Sequence, residues 1–230
     1  MVKTQGSQIR GLQNKEQPMP QTSSSKCPFL WFFFDFGGVI AEEGFVNGLR
    51  SLAQAEGIDP DFMLNAGIQT VFSTGYVLGQ GDEGTFWREL KKKTGLQAGN
   101  DSCRKTILGG FVIRPWMLEI VDRLRQADRK CAILSDQVNW LDILEERYSF
   151  FGHFDRVFNS FHMGKSKSDP SVFTDVLHAV ETPASQALFV DDSEGNIQRA
   201  SQQGLTTIFY QSRDDFLHRL HILCPFIHDI

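Results

Sequence analysis

A chain of 230 residues, 41% hydrophobic and 22% charged, can hold one sizeable core plus a small accessory domain, and its composition is that of a globular protein. Its formal net charge of −5 argues against a general nucleic-acid binder, which would carry a basic face. The cysteines Cys27, Cys103, Cys131 and Cys224 are scattered and form no CxxC pair, which argues against zinc and against a small disulfide scaffold. Reduced thiols in a cytoplasmic protein are the expectation.

Residues 1–26 are rich in Gln and Ser, with almost no apolar clustering. They are too polar for a signal peptide, and a disordered tail is expected. The apolar run at residues 29–34 is far shorter than a membrane span, so no membrane association is expected. It reads as a buried strand that begins after Pro28.

Residues 42–112 read as mostly helical. Helices are predicted at 46–56, stopped by Gly57, at 61–72, at 82–94 and at 100–108. Asp82 and Glu83 open the third of these and Lys91 to Lys93 lie near its end, which suits the helix dipole. From Arg114 onward helices alternate with short continuous apolar runs. The helices fall at 117–126, 140–148, 171–180 and 196–203, and the strands at 131–134, 156–159, 187–190 and 206–210. Asp169-Pro170 reads as an N-cap with Pro at the first helical position, and Gly204 as a helix stop. Continuous apolar strands alternating with helices define an α/β fold, a Rossmann-like open parallel sheet with helices on both faces. The division is then a core at 27–41 and 113–230, with a small all-helical cap at 42–112 inserted after the first strand.

Polar groups gather where these strands end. Asp35 follows the first strand, with Gly37 and Gly38 close behind. In open α/β sheets ligands bind beyond the carboxyl ends of the strands, and glycines let backbone approach them closely. Taken alone, this could equally be a glycine-rich turn. Ser135-Asp136 ends the second core strand, and Ser135 can donate to a phosphate oxygen, although both residue types also serve as caps. Lys167 lies just before a helix, where a cation would offset charge between a carboxylate and an incoming phosphate, or simply be solvated. Asp191-Asp192 closes a buried strand, with Asn196 shortly after, and the adjacent carboxylates repel unless a cation compensates. Separate structural explanations for all four sites are a poor account of their common edge and order.

As an ordered set, these residues resemble the four motifs of the haloacid-dehalogenase-like superfamily, over residues 29–210. Asp35-Phe36-Gly37-Gly38-Val39 is similar to the first motif and Ile133-Leu134-Ser135-Asp136 to the second. Gly164-Lys165-Ser166-Lys167-Ser168-Asp169-Pro170 is similar to the third. Val190-Asp191-Asp192 with Asn196, Ala200 and Gly204 is similar to the fourth. The helical insert resembles the caps of small sugar-phosphate phosphatases and of the phosphatase domain of soluble epoxide hydrolases.

The resemblance implies a magnesium-dependent phosphatase that removes phosphate from a small phosphorylated metabolite. Asp35 would be the nucleophile, forming an aspartyl-phosphate, with Lys167 as its catalytic partner. Mg²⁺ would be held by Asp35, the Gly37 carbonyl and Asp192, with Asp191 nearby. Ser135, Asp136, Gly38 and Lys167 would bind the phosphoryl group, and Asn196 would orient the loop or the metal's waters.

Two departures stand out. The family's acid/base Asp is Gly37 here, and Ser168 replaces a usual Pro. Losing the proton donor opens an alternative, a catalytically weakened protein that binds a phosphorylated ligand or a partner. Glu42 or Glu43 could supply a substitute carboxylate, but a solvated acidic loop is expected there. Metal-free carbon–halogen hydrolysis is a further rival, which the Asp191-Asp192 pair argues against. Phe72, Tyr76, Trp87 and Arg88 are candidates to face the cleft, with helix packing the favoured role. A homodimer through the cap stays open.

Overall fold

The computed structural model describes residues 27–226. Its strands are β1 (Trp31–Phe34), β2 (Lys130–Ser135), β3 (Arg156–Asn159), β4 (Ala187–Asp191) and β5 (Thr206–Phe209). They form one parallel sheet in the order β3-β2-β1-β4-β5. β1 is central, and its aromatic run has a physical reason. Phe32 and Phe34 join the hydrophobic cluster on one face, while Trp31 and Phe33 join the cluster on the other. Fully burying each such side chain contributes roughly 1.5–3 kcal/mol relative to leaving it exposed.

Four helices follow β1: α1 (Gly44–Glu56), α2 (Pro60–Ser73), α3 (Glu83–Thr94) and α4 (Asn100–Gly110). α1 packs closely on α4, where a Cβ at Gly48 would come within 2.6 Å of the Ile107 backbone. After them come α5 (Pro115–Gln126), α6 (Trp140–Tyr148), α7 (Ser160–Met163), α8 (Ser171–Ala179), α9 (Glu194–Gln202) and α10 (Arg213–Leu223). Ile120 and Leu124 of α5, Leu141 and Leu144 of α6, and Phe216 and Leu220 of α10 pack on one sheet face. Val172, Phe173 and Val176 of α8 and Ala200 of α9 pack on the other. The expected Rossmann-like α/β architecture with helices on both faces is therefore the observed one.

Some local expectations shift. Pro170, not Asp169, takes the N-cap position of α8. Asp169 instead accepts hydrogen bonds from the Ser171 N–H at 2.9 Å and the Ser171 hydroxyl at 2.8 Å. α7 and α10 were not anticipated, because α7 is a single turn and α10 buries little besides Phe216 and Leu220.

The expectation of reduced thiols is corrected at two positions. Cys103 and Cys131 are free and buried, but Cys27 and Cys224 form a disulfide across 197 residues of sequence. Scattered spacing hides this pairing, because only the fold lays the end of α10 beside the segment leading into β1. Among the described residues no helix is long and apolar enough to cross a membrane. The tail expected over residues 1–26 lies outside the described residues.

Candidate active site

β1, β2 and β4 are neighbours in a parallel sheet, so their carboxyl ends share one edge. The chain runs from β1 outward through β2 to β3, then crosses to β4 and β5. The reversal lies beside β1, where such sheets form their ligand crevice. Asp35 is the first residue past β1, and its N–H still donates to the Val190 carbonyl of β4 at 2.9 Å. Ser135 is the last residue of β2 and Asp191 the last of β4. Lys167 arrives from the loop between α7 and α8.

Lys167 is only 1% exposed, and every polar part of it is held. Its ammonium lies 2.7 Å from Asp35 Oδ2 and 2.7 Å from Asp191 Oδ2. Its N–H donates to both Asp136 oxygens, at 2.9 and 3.1 Å. Its carbonyl accepts from Arg199 Nε at 2.7 Å. Ser168, at the departure from the third motif, shares a 2.6 Å hydroxyl hydrogen bond with Ser166, so the loop keeps an internal tie without the proline.

Asp191 is fully buried and its acceptor capacity is used locally. It accepts from the Ser193 N–H at 2.7 Å and from Asn196 Nδ2 at 3.0 and 3.1 Å. Asn196 Oδ1 in turn accepts from Arg199 at 2.6 Å. Asp192 lies over Gly38. A Cβ on Gly38 would come within 1.9 Å of Asp192 Oδ2, and Gly38 has φ +78°, so this position requires glycine twice over. Gly38 thus leaves room for the Asp192 carboxylate.

A cavity of about 310 Å³ opens over these groups. Asp35, Gly37, Ser135, Asp136, Lys167, Asp192 and Asn196 line its floor. Phe45, Val46, Ile68, Val71, Phe72 and Val77, all from the helical segment after β1, line its apolar side. Of the four cleft candidates only Phe72 lines the cavity. Tyr76 and Trp87 are buried in an aromatic cluster with Phe86 and Trp140, and Arg88 pairs with Glu89. Ser135 Oγ is buried and finds no hydrogen-bond partner, an unpaired donor at the cavity floor.

The electrostatics describe a site short of positive charge. Burial pushes the Asp35 carboxyl well above its ordinary range; Lys167 opposes this, while Asp191 and Asp192 add to it. Burial likewise raises Asp136 and Asp192, the latter also through Asp191. Burial works against the Lys167 charge, but Asp191, Asp35 and Asp136 together raise it above the usual lysine range. Carboxylate oxygens of Asp35, Asp191 and Asp192 all lie within 4.8 Å of one another. Clustered hard oxygen donors with uncompensated charge suit Mg²⁺, so the residues present fit that ion. Asp192 has the freer oxygens of the acidic pair.

Two contributors were not anticipated from the sequence. Arg199 locks Lys167 to Asn196, and Gln137 lines the cavity beside Gly37. At Glu43, named as a possible substitute carboxylate, the favoured expectation of a solvated loop is corrected. Glu42 does lie at the surface, paired with Arg114 at 2.9 Å. Glu43 turns inward, lines the cavity, and is raised to about 7, first by burial and then by the Asp192 charge.

The site is built on a buried carboxylate, Asp35, at the switch point of a parallel sheet. The chain belongs to the haloacid dehalogenase-like hydrolase family, whose model matches residues 30–204. It is 24% identical over 212 residues to mouse bifunctional epoxide hydrolase 2, covering 81% of this chain and 37% of that protein. The chain therefore spans little more than a third of that relative. Among solved structures, HAD family enzyme BT-2542 of Bacteroides thetaiotaomicron, in complex with magnesium and inorganic phosphate, superposes with TM-score 0.66 at 18% identity, covering 83% of this chain and 98% of that one. L-2-haloacid dehalogenase of Xanthobacter autotrophicus shares the fold with TM-score 0.59 at 15% identity, covering 84% of this chain and 82% of that one.

Proposed function

We propose that this hydrolase is a magnesium-dependent phosphatase that transfers a phosphoryl group to Asp35 and then to water. The observation that carries the reading is the placement of Lys167 between Asp35 and Asp191, in a cavity that the unpartnered hydroxyl of Ser135 also lines. Phosphoryl transfer needs positioning and charge stabilisation above all. Asp35 supplies the attacking oxygen. Lys167 and Ser135 receive the phosphoryl oxygens, with Gly38 keeping the loop close. Asp136, Arg199 and Asn196 hold Lys167 and Asp191 still. Mg²⁺, held by Asp35, Asp192 and the Gly37 carbonyl, supplies positive charge to the phosphoryl group when bound.

The helical segment 42–112 serves as the cap of this reading. Its apolar wall favours a small phosphate ester whose organic part is apolar. A cytoplasmic setting and a homodimer through the cap belong to the proposal as well, and the Cys27–Cys224 disulfide is the feature that weighs against the former. The dehalogenase likeness supports the fold alone, and a carboxylate cluster would repel an anionic haloacid.

The test is Mg²⁺-dependent release of phosphate from an aryl phosphate, abolished by Asp35→Asn. Absence of turnover across a broad panel of phosphate esters would sink the reading. Metal-independent halide release from a 2-haloacid would replace it.

A further inference from the structure

Transfer of a phosphoryl group to Asp35 and on to water moves two protons. The leaving oxygen must gain one, and the attacking water must lose one. Asp35 is the nucleophile and cannot do this work. Its Oδ1 accepts the Phe36 N–H at 2.7 Å and its Oδ2 faces Lys167. Asp136 spends both oxygens on the Lys167 N–H, and Asp192 belongs to the metal-binding set. The remaining carboxylate on the cavity wall is Glu43.

Glu43 is the N-cap of α1, but a poor one. Its Oε1 accepts the Val46 N–H at 3.4 Å, a long bond, and glutamate is not among the favoured capping residues. Its other oxygen points at Gly37. A Cβ built on Gly37 would come within 2.6 Å of Glu43 Oε2, with Gln137 Nε2 at 3.6 Å. The space that a side chain at position 37 would enter is thus already filled by a carboxylate that has come from α1. The missing side chain of the first motif and the inward turn of Glu43 are one arrangement.

We propose that Glu43 is the proton donor and acceptor of this active site, taking over the position left empty by Gly37; the proposal rests on the phosphatase reading above. As an Asp35 oxygen bonds to phosphorus and the bond to the ester oxygen breaks, the Glu43 carboxyl gives its proton to that oxygen, which leaves as the alcohol. The Glu43 carboxylate then takes a proton from the water whose oxygen attacks phosphorus. The bond to Asp35 breaks, and inorganic phosphate and the starting carboxyl are returned.

The test uses the full chain with Mg²⁺ and two substrates, propyl phosphate and 2,4-dinitrophenyl phosphate. Glu43→Gln keeps the capping oxygen and removes the proton. General acid–base catalysis contributes about 10²–10⁴-fold, so kcat on propyl phosphate should fall by that order. Dinitrophenolate leaves without a proton, so the variant should release one equivalent per enzyme in a burst. Slow turnover should follow, because hydrolysis of the aspartyl-phosphate still lacks its base. Glu43→Ser, which caps well, should be as slow as Glu43→Gln. Gly37→Asp combined with Glu43→Gly should recover propyl phosphate turnover, since Gly37 does not have a left-handed backbone and the clash with Glu43 is gone.

Propyl phosphate turnover within a few-fold of wild type in Glu43→Gln would overturn the proposal and leave the phosphatase reading standing. Equal losses on both substrates with no burst would overturn it too, marking Glu43 as a cap. A wild-type chain without any Mg²⁺-dependent phosphate release would remove the phosphatase reading and the proposal together.

Discussion

Lys167 pairs with two buried carboxylates at once, so its loss leaves Asp35 and Asp191 facing each other without a cation. Removing one partner of a buried ion pair costs about 3–5 kcal/mol. Lys167→Met should therefore lower unfolding stability by about that much in a urea titration, beyond any effect on activity. An unchanged midpoint would mean that the carboxylates are neutral in the folded protein without Lys167. Gly38 gives a second prediction. Gly38→Ala forces a Cβ into Asp192 at a φ that disfavours side chains. The Mg²⁺ concentration giving half-maximal thermal stabilisation should rise at least about tenfold, a change of about 1.4 kcal/mol in affinity. An unaltered Mg²⁺ response would show that Asp192 does not contribute to the metal site. Asp35, Ser135 and Asp191 were visible in the sequence because each ends or directly follows a strand, and Lys167 through the motif around it. Arg199 was not visible, and Glu43 was named but read as solvated, because a basic residue within a helix and an acidic one before a helix look solvated until the fold turns them inward.

At the level of elements, α3 and α6 are joined through Glu83. Its carboxylate accepts from Trp87 Nε1 at 2.9 Å, from Trp140 Nε1 at 3.2 Å and from Arg104 at 3.2 Å. Trp87 and Trp140 stack with centroids 5.9 Å apart. Glu83→Ala strands two indole donors in a buried cluster, and each unsatisfied group costs roughly 1–3 kcal/mol. The expected result is a lower thermal midpoint, with Mg²⁺ affinity unchanged because Glu83 is not among the groups lining the cavity. Unchanged stability would show that aromatic packing alone fastens the helical segment. The five strands were legible because buried parallel strands read as continuous apolar runs. α10 was not, since its apolar residues are spread around the helix, with Phe216 and Leu220 buried while Ile222 is exposed. The role of Glu83 was read only as a favourable helix start, because its partners Trp140 and Arg104 come from α6 and α4.

Across the whole molecule, the Cys27–Cys224 disulfide joins the two ends of the described chain. A loop of this length is expected to gain about 2–5 kcal/mol from closure. Thiol titration of the denatured, unreduced protein should count Cys103 and Cys131 alone, and four thiols only after reduction. Four thiols without a reductant would show the ends unjoined. Covalent catalysis by Asp35 is tested by a rapid acid quench during turnover of an aryl phosphate with Mg²⁺, followed by mass mapping of the peptides. A phosphoryl group is expected on the peptide carrying Asp35, at higher occupancy in Glu43→Gln and absent in Asp35→Asn. Turnover without phosphorylation of Asp35, or a label that survives in Asp35→Asn, would contradict covalent catalysis by Asp35.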